Sequence, residues 1–266
     1  MAIKAIILDW AGTTMDYGCM APAVVFGAVF KKYGVEISVE EARQPMGAHK
    51  KVHIRALTQI PSVNERWQSV HGSAPTEEDV ERMFTDFVPM QIACLADYSD
   101  LIPGCLEAIA DFRARGLKIG STTGYTPEMM DLLRSEAKAR GYEPDATVSA
   151  GDVPEGRPAP WMCLENARLL GVWPMSAIVK VDDTVPGIAE GINAGMWSIG
   201  LARSGNEIGL PLAEVDALPE AEYAERIEGA RSRMRAAAAH YVVDDITGVA
   251  ACLDDIERRL AAGETP

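Results

Sequence analysis

Short apolar runs that end on polar residues recur along this chain, and helical stretches separate them. The first run, residues 5–9, reads Ala-Ile-Ile-Leu-Asp, and its β-branched residues favour a buried parallel strand. Similar runs lie at residues 117–121, 146–149, 177–181 and 197–201, with helical patterns at residues 105–115, 127–140, 160–170 and 186–194. This alternation predicts an α/β fold with a doubly wound, Rossmann-like parallel sheet and right-handed crossovers.

Residues 21–97 break the alternation, because they show helical patterns and no clear strand. Ser38 with Glu41 forms a capping box, and Thr76 with Asp79 forms a weaker relative of one. The helical patterns lie at residues 22–33, 39–44, 50–59, 63–71 and 77–95. We therefore expect an all-helical cap domain, residues 21–97, inserted into an α/β core domain of residues 1–20 and 98–266.

The last part of the chain adds one more strand to the expected core. Residues 221–239 and 246–261 have helical patterns, and the short run at residues 241–243 lies between them. Residues 205–219 are the most loop-like segment of the second half.

Charge and cysteine content limit the classes of partner. The chain of 266 residues carries 25 Lys and Arg against 39 Asp and Glu, a net charge of −14, so nucleic acid and anionic membranes are poor main partners. Its five cysteines are scattered without a C-x-x-C pair, which indicates neither a zinc site nor a disulfide framework. The first apolar run is too short for a signal peptide or a membrane span, and we expect a cytoplasmic protein.

Polar residues follow several of the predicted strands, where ligands bind in open parallel sheets. Asp9 ends the first run, Ser121-Thr122-Thr123 ends the second, and Asp182-Asp183-Thr184 ends the fourth, with Gly156-Arg157-Pro158 between them. Any one of these motifs fits a turn or a helix cap. The four in this order are better explained by a ligand site.

Together the four motifs resemble the haloacid dehalogenase superfamily over the full length of the chain. The resemblance implies that Asp9 is a nucleophile, that Thr123 binds phosphate and that Arg157 supports the charge. It also implies a Mg²⁺ site formed by Asp9, the main chain at Ala11 and the pair Asp182 and Asp183. The chemistry agrees, because an anionic nucleophile approaching an anionic phosphoryl group needs a hard cation and fixed donors.

Two departures from the superfamily pattern are informative. Most of its phosphatases have a second Asp two residues after the nucleophile to protonate the departing alkoxide, and here that residue is Ala11. Ordinary monoester hydrolysis is therefore disfavoured. The metal motif is often Gly-Asp-Thr with a further Asp four residues on, whereas this chain has Asp182-Asp183-Thr184 and Gly187. We match Asp183 to the metal ligand and Asp182 to a compensating carboxylate, and the division between them stays open.

A lysine in the cap offers a different way to stabilise a leaving group. A neutral lysine amine condenses with an aldehyde, and the protonated imine accepts the electrons of a neighbouring carbanion. Lys50 and His53 are three residues apart and share a helix face, whereas Lys51 and His53 do not. This spacing favours Lys50 as the amine, although adjacent lysines on a helix also fit a solvent-exposed face.

The complete set of motifs resembles the phosphonoacetaldehyde hydrolase family, which joins an Asp nucleophile to a Schiff-base Lys in a helical cap. The resemblance rests on residues 9–14, 16–19, 45–47, 120–125, 156–158, 160–162 and 193–197, together with Lys50 and His53. It implies hydrolysis of the C–P bond of phosphonoacetaldehyde in 2-aminoethylphosphonate degradation. The residues implied are Asp9, Lys50 and His53 for catalysis, and Thr123, Arg157, Met46, Cys19, Gly47 and Tyr125 for substrate binding.

Alternatives remain at this stage. A phosphatase or phosphomutase of the same superfamily leaves Ala11 and the Lys50–His53 pair unexplained, and a silent binding protein leaves the charged residues unexplained. Met46 also fits a simple core position.

The resemblance further implies a homodimer through the cap, where Val24, Val25, Ala28 and Val29 form an apolar stripe on the first helix. That stripe equally fits packing inside the cap.

Overall fold

The computed structural model describes residues 2–266 as a six-stranded parallel sheet with helices on both faces and a group of helices at one end. The strands are β1 (Ala5–Leu8), β2 (Lys118–Thr123), β3 (Ala146–Ser149), β4 (Ile178–Asp182), β5 (Trp197–Leu201) and β6 (Tyr241–Val243). Their spatial order is β3-β2-β1-β4-β5-β6, the doubly wound order, which confirms the predicted fold class.

Twelve helices accompany the sheet in this part of the chain, and none of them combines the length and the apolar character of a membrane span. They are α1 (Met20–Lys32), α2 (Val39–Arg43), α3 (Lys50–Gln59), α4 (Pro61–His71), α5 (Glu77–Leu95), α6 (Cys105–Ala114), α7 (Pro127–Ala139), α8 (Trp161–Leu170), α9 (Val185–Asn193), α10 (Leu212–Asp216), α11 (Glu220–Ala236) and α12 (Val249–Ala261).

The first strand shows why its sequence is apolar throughout. Ile6 and Leu8 pack in the main hydrophobic core on one face of the sheet, while Ala5 and Ile7 pack in a second cluster on the other face. Successive side chains of a strand point to opposite faces, and both faces are covered by helices here, so every residue of β1 is buried.

The segment between β1 and α6 contains the helices α1 to α5, as the sequence predicts. The predicted capping box of Ser38 and Glu41 forms at the start of α2. Thr76 and Asp79, predicted as a weaker box, form a complete one at the start of α5. The sequence boundaries of a separate cap domain at residues 21 and 97 stay a prediction.

Most element boundaries lie one to three residues from the predicted ones, and three differences matter for the description of the fold. Strand β1 ends at Leu8, so Asp9 begins the loop that follows it. Strand β2 continues to Thr123, because the ladder with β3 pairs Thr123 with Ser149. The segment predicted as loop, residues 205–219, contains the short helix α10, whose five residues are too few to show a helical repeat.

Candidate active site

The carboxyl ends of the three central strands open into one small cavity between the core and the cap helices. Strand β1 lies between β2 and β4, which brings Asp9 close to Thr123 and Asp182. The cavity is nearly filled, with a volume of about 20 Å³ open to water. The predicted site residues that line it are Asp9, Ala11, Cys19, Met46, Gly47, Lys50, Thr123, Tyr125 and Arg157, joined by Gly124 and Thr184. The other predicted residues, His53, Asp182 and Asp183, are buried but do not line the cavity.

Arg157 links the carboxylate of Asp9 by hydrogen bonds to Thr122, to Glu190 and to the cap. Its Nη2 donates to Asp9 Oδ1 at 2.6 Å and to the Thr122 carbonyl at 3.1 Å, while Nε donates to Glu190 Oε2 at 2.9 Å. Its Nη1 reaches the Gly47 carbonyl in the cap at 3.4 Å. Burial raises the pKa of Asp9 to about 6, although the Arg157 charge opposes this shift. A guanidinium stays cationic under these conditions, so it holds Asp9 in place without competing as a nucleophile.

Three buried carboxylates form a cluster behind the cavity. Ligand oxygens of Asp9, Asp182 and Asp183 lie within 4.8 Å of one another. Asp183 accepts from Thr13 Oγ1 at 3.1 Å and from the Asn206 backbone N–H at 2.8 Å. Burial, followed by the charges of Asp9 and Asp182, raises the pKa of Asp183 well above its usual range. Such a cluster can hold a divalent cation, because hard cations prefer carboxylate oxygens.

Asp182 differs from Asp183 because protein donors already occupy both of its oxygens. Oδ2 accepts from Lys180 Nζ at 2.7 Å, and Oδ1 accepts from the Thr184 hydroxyl at 2.7 Å and the Thr184 backbone N–H at 2.9 Å. Burial raises the pKa of Asp182, but Arg157 and Lys180 outweigh it and the net shift is downward.

Carboxyl groups outnumber cations in the ionic network behind the cavity. Asp9, Asp182, Asp183 and Glu190 are buried there with Arg157 and Lys180. Burial raises the pKa of Asp9 and of Asp183, and a divalent cation between them would offset that effect because it compensates buried carboxylate charge. The donor set therefore fits one divalent cation.

Lys50 lies in the cavity as an amine without a counter-ion. It begins α3, is only 4% exposed, and its Nζ lies 4.5 Å from the centroid of the Tyr125 ring. Within residues 2–266, no hydrogen bond or ion pair engages its Nζ. Burial lowers the pKa of Lys50 to about 8, although the nearby Asp9 carboxylate opposes the shift. Lys51 instead points to the protein surface, where its Nζ pairs with Glu81.

His53 lies one helical turn after Lys50 and is completely buried. Its Nε2 is 2.8 Å from the Ala42 carbonyl oxygen, so Nε2 carries the proton and donates. Its ring stacks on Phe26 with centroids 3.7 Å apart, and Nδ1 has no partner among the described residues. Burial, with a further contribution from Lys50, lowers the pKa of His53 well below its usual range. His53 is therefore a neutral imidazole with an unpaired acceptor.

Backbone contact closes the cavity where the cap meets the core. Gly47 has a φ of +92°, and a Cβ at this position would lie 2.4 Å from Thr184 Oγ1. A Cβ at Gly124 would lie 2.5 Å from the Ala48 carbonyl oxygen. The two segments approach this closely only because both positions are glycine.

Sequence reasoning missed Lys180 and Glu190, which form the buried ionic network around Arg157 and Asp182. Lys180 Nζ lies 3.9 Å from Glu190 Oε2, and both residues are completely buried. A signal was available in each case. Lys180 interrupts the otherwise apolar strand before Asp182, and Glu190 is the only charged residue of α9. A charge in such surroundings needs a buried partner.

Comparison with known proteins agrees with this fold. A family model described as haloacid dehalogenase-like hydrolase matches residues 3–195. The chain belongs to this superfamily of hydrolases. Solved structures below 25% identity share the fold, among them a β-phosphoglucomutase from Clostridium difficile with 18% identity and a TM-score of 0.67 over 98% of this chain and 99% of that one.

Much more similar relatives define the family within the superfamily. A phosphonoacetaldehyde hydrolase from Syntrophobacter fumaroxidans is 49% identical over 99% of this chain and 95% of its own length. One from Bacillus cereus is 47% identical, with 97% of this chain and 98% of the relative covered. A phosphonoacetaldehyde hydrolase-like protein from Oleispira antarctica, known from its crystal structure, is 43% identical in sequence to this chain. The two structures superpose with a TM-score of 0.98, over 100% of this chain and 96% of the other. The chain belongs to the phosphonoacetaldehyde hydrolase family.

Proposed function

We propose that the protein hydrolyses the C–P bond of phosphonoacetaldehyde through an imine on Lys50 and an aspartyl phosphate on Asp9. The observation that carries this proposal is a buried amine with a lowered pKa in the same cavity as the Asp9 carboxylate. A phosphatase needs no such amine. The absence of an acid at Ala11 agrees, because an enamine leaving group requires no proton on oxygen.

Thr123, Arg157 and the carboxylate cluster form the phosphonyl-binding part of the proposed site. The Thr123 hydroxyl lies on the cavity wall, where it accepts from the Tyr125 backbone N–H at 3.1 Å and is free to donate to a phosphonyl oxygen. Asp9, Asp183 and the Ala11 carbonyl would hold Mg²⁺, which supplies positive charge against the phosphonyl oxygens when bound. Asp182, with its oxygens already occupied, serves as a compensating carboxylate.

The reaction sequence follows from the two groups that face each other. The neutral Lys50 amine adds to the aldehyde carbon and loses water, and uptake of a proton on nitrogen gives a protonated imine. The Asp9 carboxylate attacks phosphorus, the electron pair of the C–P bond becomes the C=C bond of an enamine, and the C=N π electrons move to the nitrogen. Water then cleaves the aspartyl phosphate to inorganic phosphate. Protonation of the enamine on carbon and hydrolysis of the imine release acetaldehyde and restore Lys50.

The remaining residues keep Lys50 reactive in this proposal. His53 is held neutral, and its Nδ1 has no hydrogen-bond partner among the described residues. Burial raises the pKa of the Cys19 thiol well above its usual range, so Cys19 adds no charge to the cavity. Met46, Gly47 and Tyr125 complete the wall around the two-carbon unit. The proposed role in metabolism is the step that follows transamination of 2-aminoethylphosphonate.

Borohydride trapping tests the imine directly. Reduction during turnover should fix a two-carbon adduct, or its phosphonate precursor, on the peptide that contains Lys50. Lys50→Arg keeps the positive charge but cannot form an imine, so C–P cleavage should vanish while Mg²⁺ still binds. Lys51→Arg is the matched control, because Lys51 lies on the surface, and it should keep most of the activity. An adduct on Lys51, or full activity in Lys50→Arg, would overturn the mechanism.

We also propose a homodimer formed through α1. Val25 and Val29 of the predicted apolar stripe are buried within the protein, whereas Val24 is exposed. The stripe is therefore divided between internal packing and the outer surface. Two observations support the homodimer: the exposed apolar side chain of Val24 and the resemblance to the family.

A further inference from the structure

The turn that leads into α1 has a left-handed backbone and lies against the active-site cavity. Asp16 and Cys19 have φ values of +54° and +52°, and Gly18 between them has a φ of +84°. Residues other than glycine rarely adopt this conformation, and they keep it only where surrounding groups hold it. Cys19 lines the cavity that also contains Asp9 and Lys50. The conformation of this turn therefore determines where one wall of the cavity lies.

The turn satisfies its own N–H groups but not all of its carbonyl oxygens. The Asp16 carboxylate accepts from the Met20 and Ala21 backbone N–H groups at 2.9 and 3.0 Å, which caps the start of α1. The Gly18 carbonyl oxygen has no such donor in the helix, because the residue four positions on is Pro22, which lacks an N–H. Since buried backbone groups are rarely left unpaired, this oxygen needs a donor from elsewhere in the chain.

Arg43, the last residue of α2, supplies that donor. Its Nη1 donates to the Gly18 carbonyl at 2.8 Å and to Asn206 Oδ1 at 3.2 Å, and it lies 3.3 Å from the Cys19 carbonyl oxygen. Its Nη2 lies 3.1 Å from Met20 Sδ. The side chain is only 9% exposed. One buried guanidinium thus joins α2, the turn before α1 and the loop after β5.

The space around this guanidinium suits a planar group. A Cβ on Gly209, which lies in the same loop as Asn206, would be 2.7 Å from Arg43 Nε and 2.8 Å from Arg43 Cζ. The loop backbone therefore packs directly against the guanidinium on the side away from the turn. A lysine ammonium keeps the positive charge but offers neither the planar shape nor the fixed set of donors.

We propose that Arg43 is a positioning residue whose guanidinium holds the turn of residues 16–20 in the conformation that places Cys19 on the cavity wall. Arg43 does not itself line the active-site cavity, so it acts on the reacting groups through the turn. The proposal rests on the proposed function only where turnover is measured, since the reactivity of the Cys19 thiol reports on the turn independently.

Thiol modification by N-ethylmaleimide, followed by peptide mass spectrometry, measures the turn directly. Cys19 is 3% exposed, and Cys163 is completely buried in α8 on the other face of the sheet, so Cys163 reports on opening of the whole fold. In Arg43→Ala, Cys19 should react at least about tenfold faster than in the wild type, whereas Cys163 should change by less than about twofold. Arg43→Lys should give an intermediate rate at Cys19.

Arg82→Ala is the control for these variants. Arg82 is also an arginine of the cap, but it lies on the surface of α5 and pairs with Asp79. Its removal should leave the reaction rates of both cysteines, and the turnover of phosphonoacetaldehyde, close to those of the wild type.

Added guanidinium should restore the turn in Arg43→Ala. Arg43 lines a groove between α2 and α11 that has a volume of about 810 Å³ open to water, so the space left by the variant is accessible from solvent. Millimolar guanidinium chloride, far below the molar range that unfolds proteins, should lower the Cys19 reaction rate to within about threefold of the wild-type rate. Ammonium chloride at the same concentration supplies charge without planar donors and should not restore it.

Turnover should follow the state of the turn. We expect kcat/KM for phosphonoacetaldehyde to fall by about 10- to 100-fold in Arg43→Ala, since a displacement near 1 Å is enough for such a loss. It should recover with guanidinium and not with ammonium. An Arg43→Ala protein that turns over but shows no loss of kcat/KM would contradict the proposal.

Further results would overturn the proposal. A wild-type Cys19 reaction rate in Arg43→Lys and Arg43→Ala would show that the turn does not depend on the guanidinium. Equal acceleration at Cys19 and Cys163 would show that Arg43 only stabilises the whole fold. Equal rescue by ammonium would assign the effect to charge alone. If Arg43→Ala fails to fold, the Cys19 rate in Arg43→Lys decides the question. A released and rescued Cys19, in a protein whose wild type never turns over phosphonoacetaldehyde, would count against the proposed function and leave this inference standing.

Discussion

Lys50 is the residue at which activity and stability conflict most directly. Its amine is buried beside the Tyr125 ring with no ion pair among residues 2–266, and burial lowers its pKa from the ordinary 10.5 to about 8. A lower pKa supplies neutral amine near pH 7, which imine formation requires. The same burial destabilises the folded protein, because the unfolded chain holds the Lys50 proton more tightly.

Lys50→Met should therefore be inactive but more stable than the wild type. At pH 7 Lys50 is mostly protonated in both states, so nearly the full cost applies, and a shift of this size corresponds to about 3 kcal/mol in the free energy of unfolding. As pH rises from about 8 toward 10.5, only the unfolded chain keeps the proton, so the wild type gains stability and the difference shrinks. Denaturant unfolding of metal-free protein at pH 7 and pH 9.5 measures both values.

Lys51→Met is the control for this prediction, because Lys51 is partly exposed and pairs with Glu81 at the surface. Its stability should change little, because a partly exposed ion pair contributes little to stability. A Lys50→Met variant less stable than the wild type at pH 7 would contradict the prediction.

Asp9→Asn tests the second reacting group. The amide keeps the oxygen that accepts from Arg157 at 2.6 Å, but it is neither a nucleophile nor a good metal ligand. Turnover should fall by about three orders of magnitude or more, whereas the melting temperature of the metal-free protein should not fall, since burial already disfavours the Asp9 charge. Steady-state assays and thermal unfolding measure the two effects. A variant with more than about a tenth of the wild-type rate would exclude Asp9 as the nucleophile.

At the scale of elements, the loop before α3 determines whether Lys50 reaches the core. Gly47 lies three residues before Lys50 and touches Thr184 at the start of α9, while Arg157 donates to its carbonyl oxygen at 3.4 Å. The loop thus contacts Thr184 and Arg157, and both residues also donate hydrogen bonds to carboxylates of the cluster. This contact couples the position of the loop before Lys50 to the position of the carboxylate cluster.

Gly47→Ala should disrupt that coupling. The added methyl group would lie 2.4 Å from Thr184 Oγ1, so the loop must move away and carry Lys50 with it. We expect kcat/KM to fall by about 10- to 100-fold, since a displacement near 1 Å is enough for a loss of this size. Steady-state assays with phosphonoacetaldehyde measure it.

Gly72→Ala supplies the matched control for the loop variant. Gly72 is also in the cap and also has a positive φ, +77°, but a Cβ there would contact nothing within 4 Å. It should lose a little stability from backbone strain and keep kcat/KM. Equal losses of kcat/KM in both variants would show that strain, and not contact with Thr184, is responsible.

At the scale of the whole molecule, the cap surface should determine assembly. Val24 is 48% exposed on α1 and Val70 is 53% exposed on α4, so both are apolar surface residues of the cap on different helices. Sedimentation at micromolar concentration should give a dimer for the wild type and for Val70→Glu, and a monomer for Val24→Glu. A monomeric wild type would remove the proposal.

The sequence alone was sufficient for the alternation of the fold and for most of the residues in the site. Runs such as residues 5–9 have the hydrophobic period of buried strands, and this local pattern does not depend on distant residues. Polar strand ends then indicate the edge at which Asp9, Thr123 and Asp182 meet, because parallel strands align their carboxyl ends. Helical spacing likewise separated Lys50 from Lys51.

Only the tertiary structure decided how the charges are distributed. Sequence matched Asp183 to the metal ligand but left its division of roles with Asp182 open, whereas in the folded chain Lys180 and Thr184 occupy both oxygens of Asp182. Glu190 escaped notice because its partner, Arg157, is 33 residues away and in contact only after the sheet forms. Close packing and electrostatic compensation act between residues distant in sequence, so they become visible only once the chain is folded.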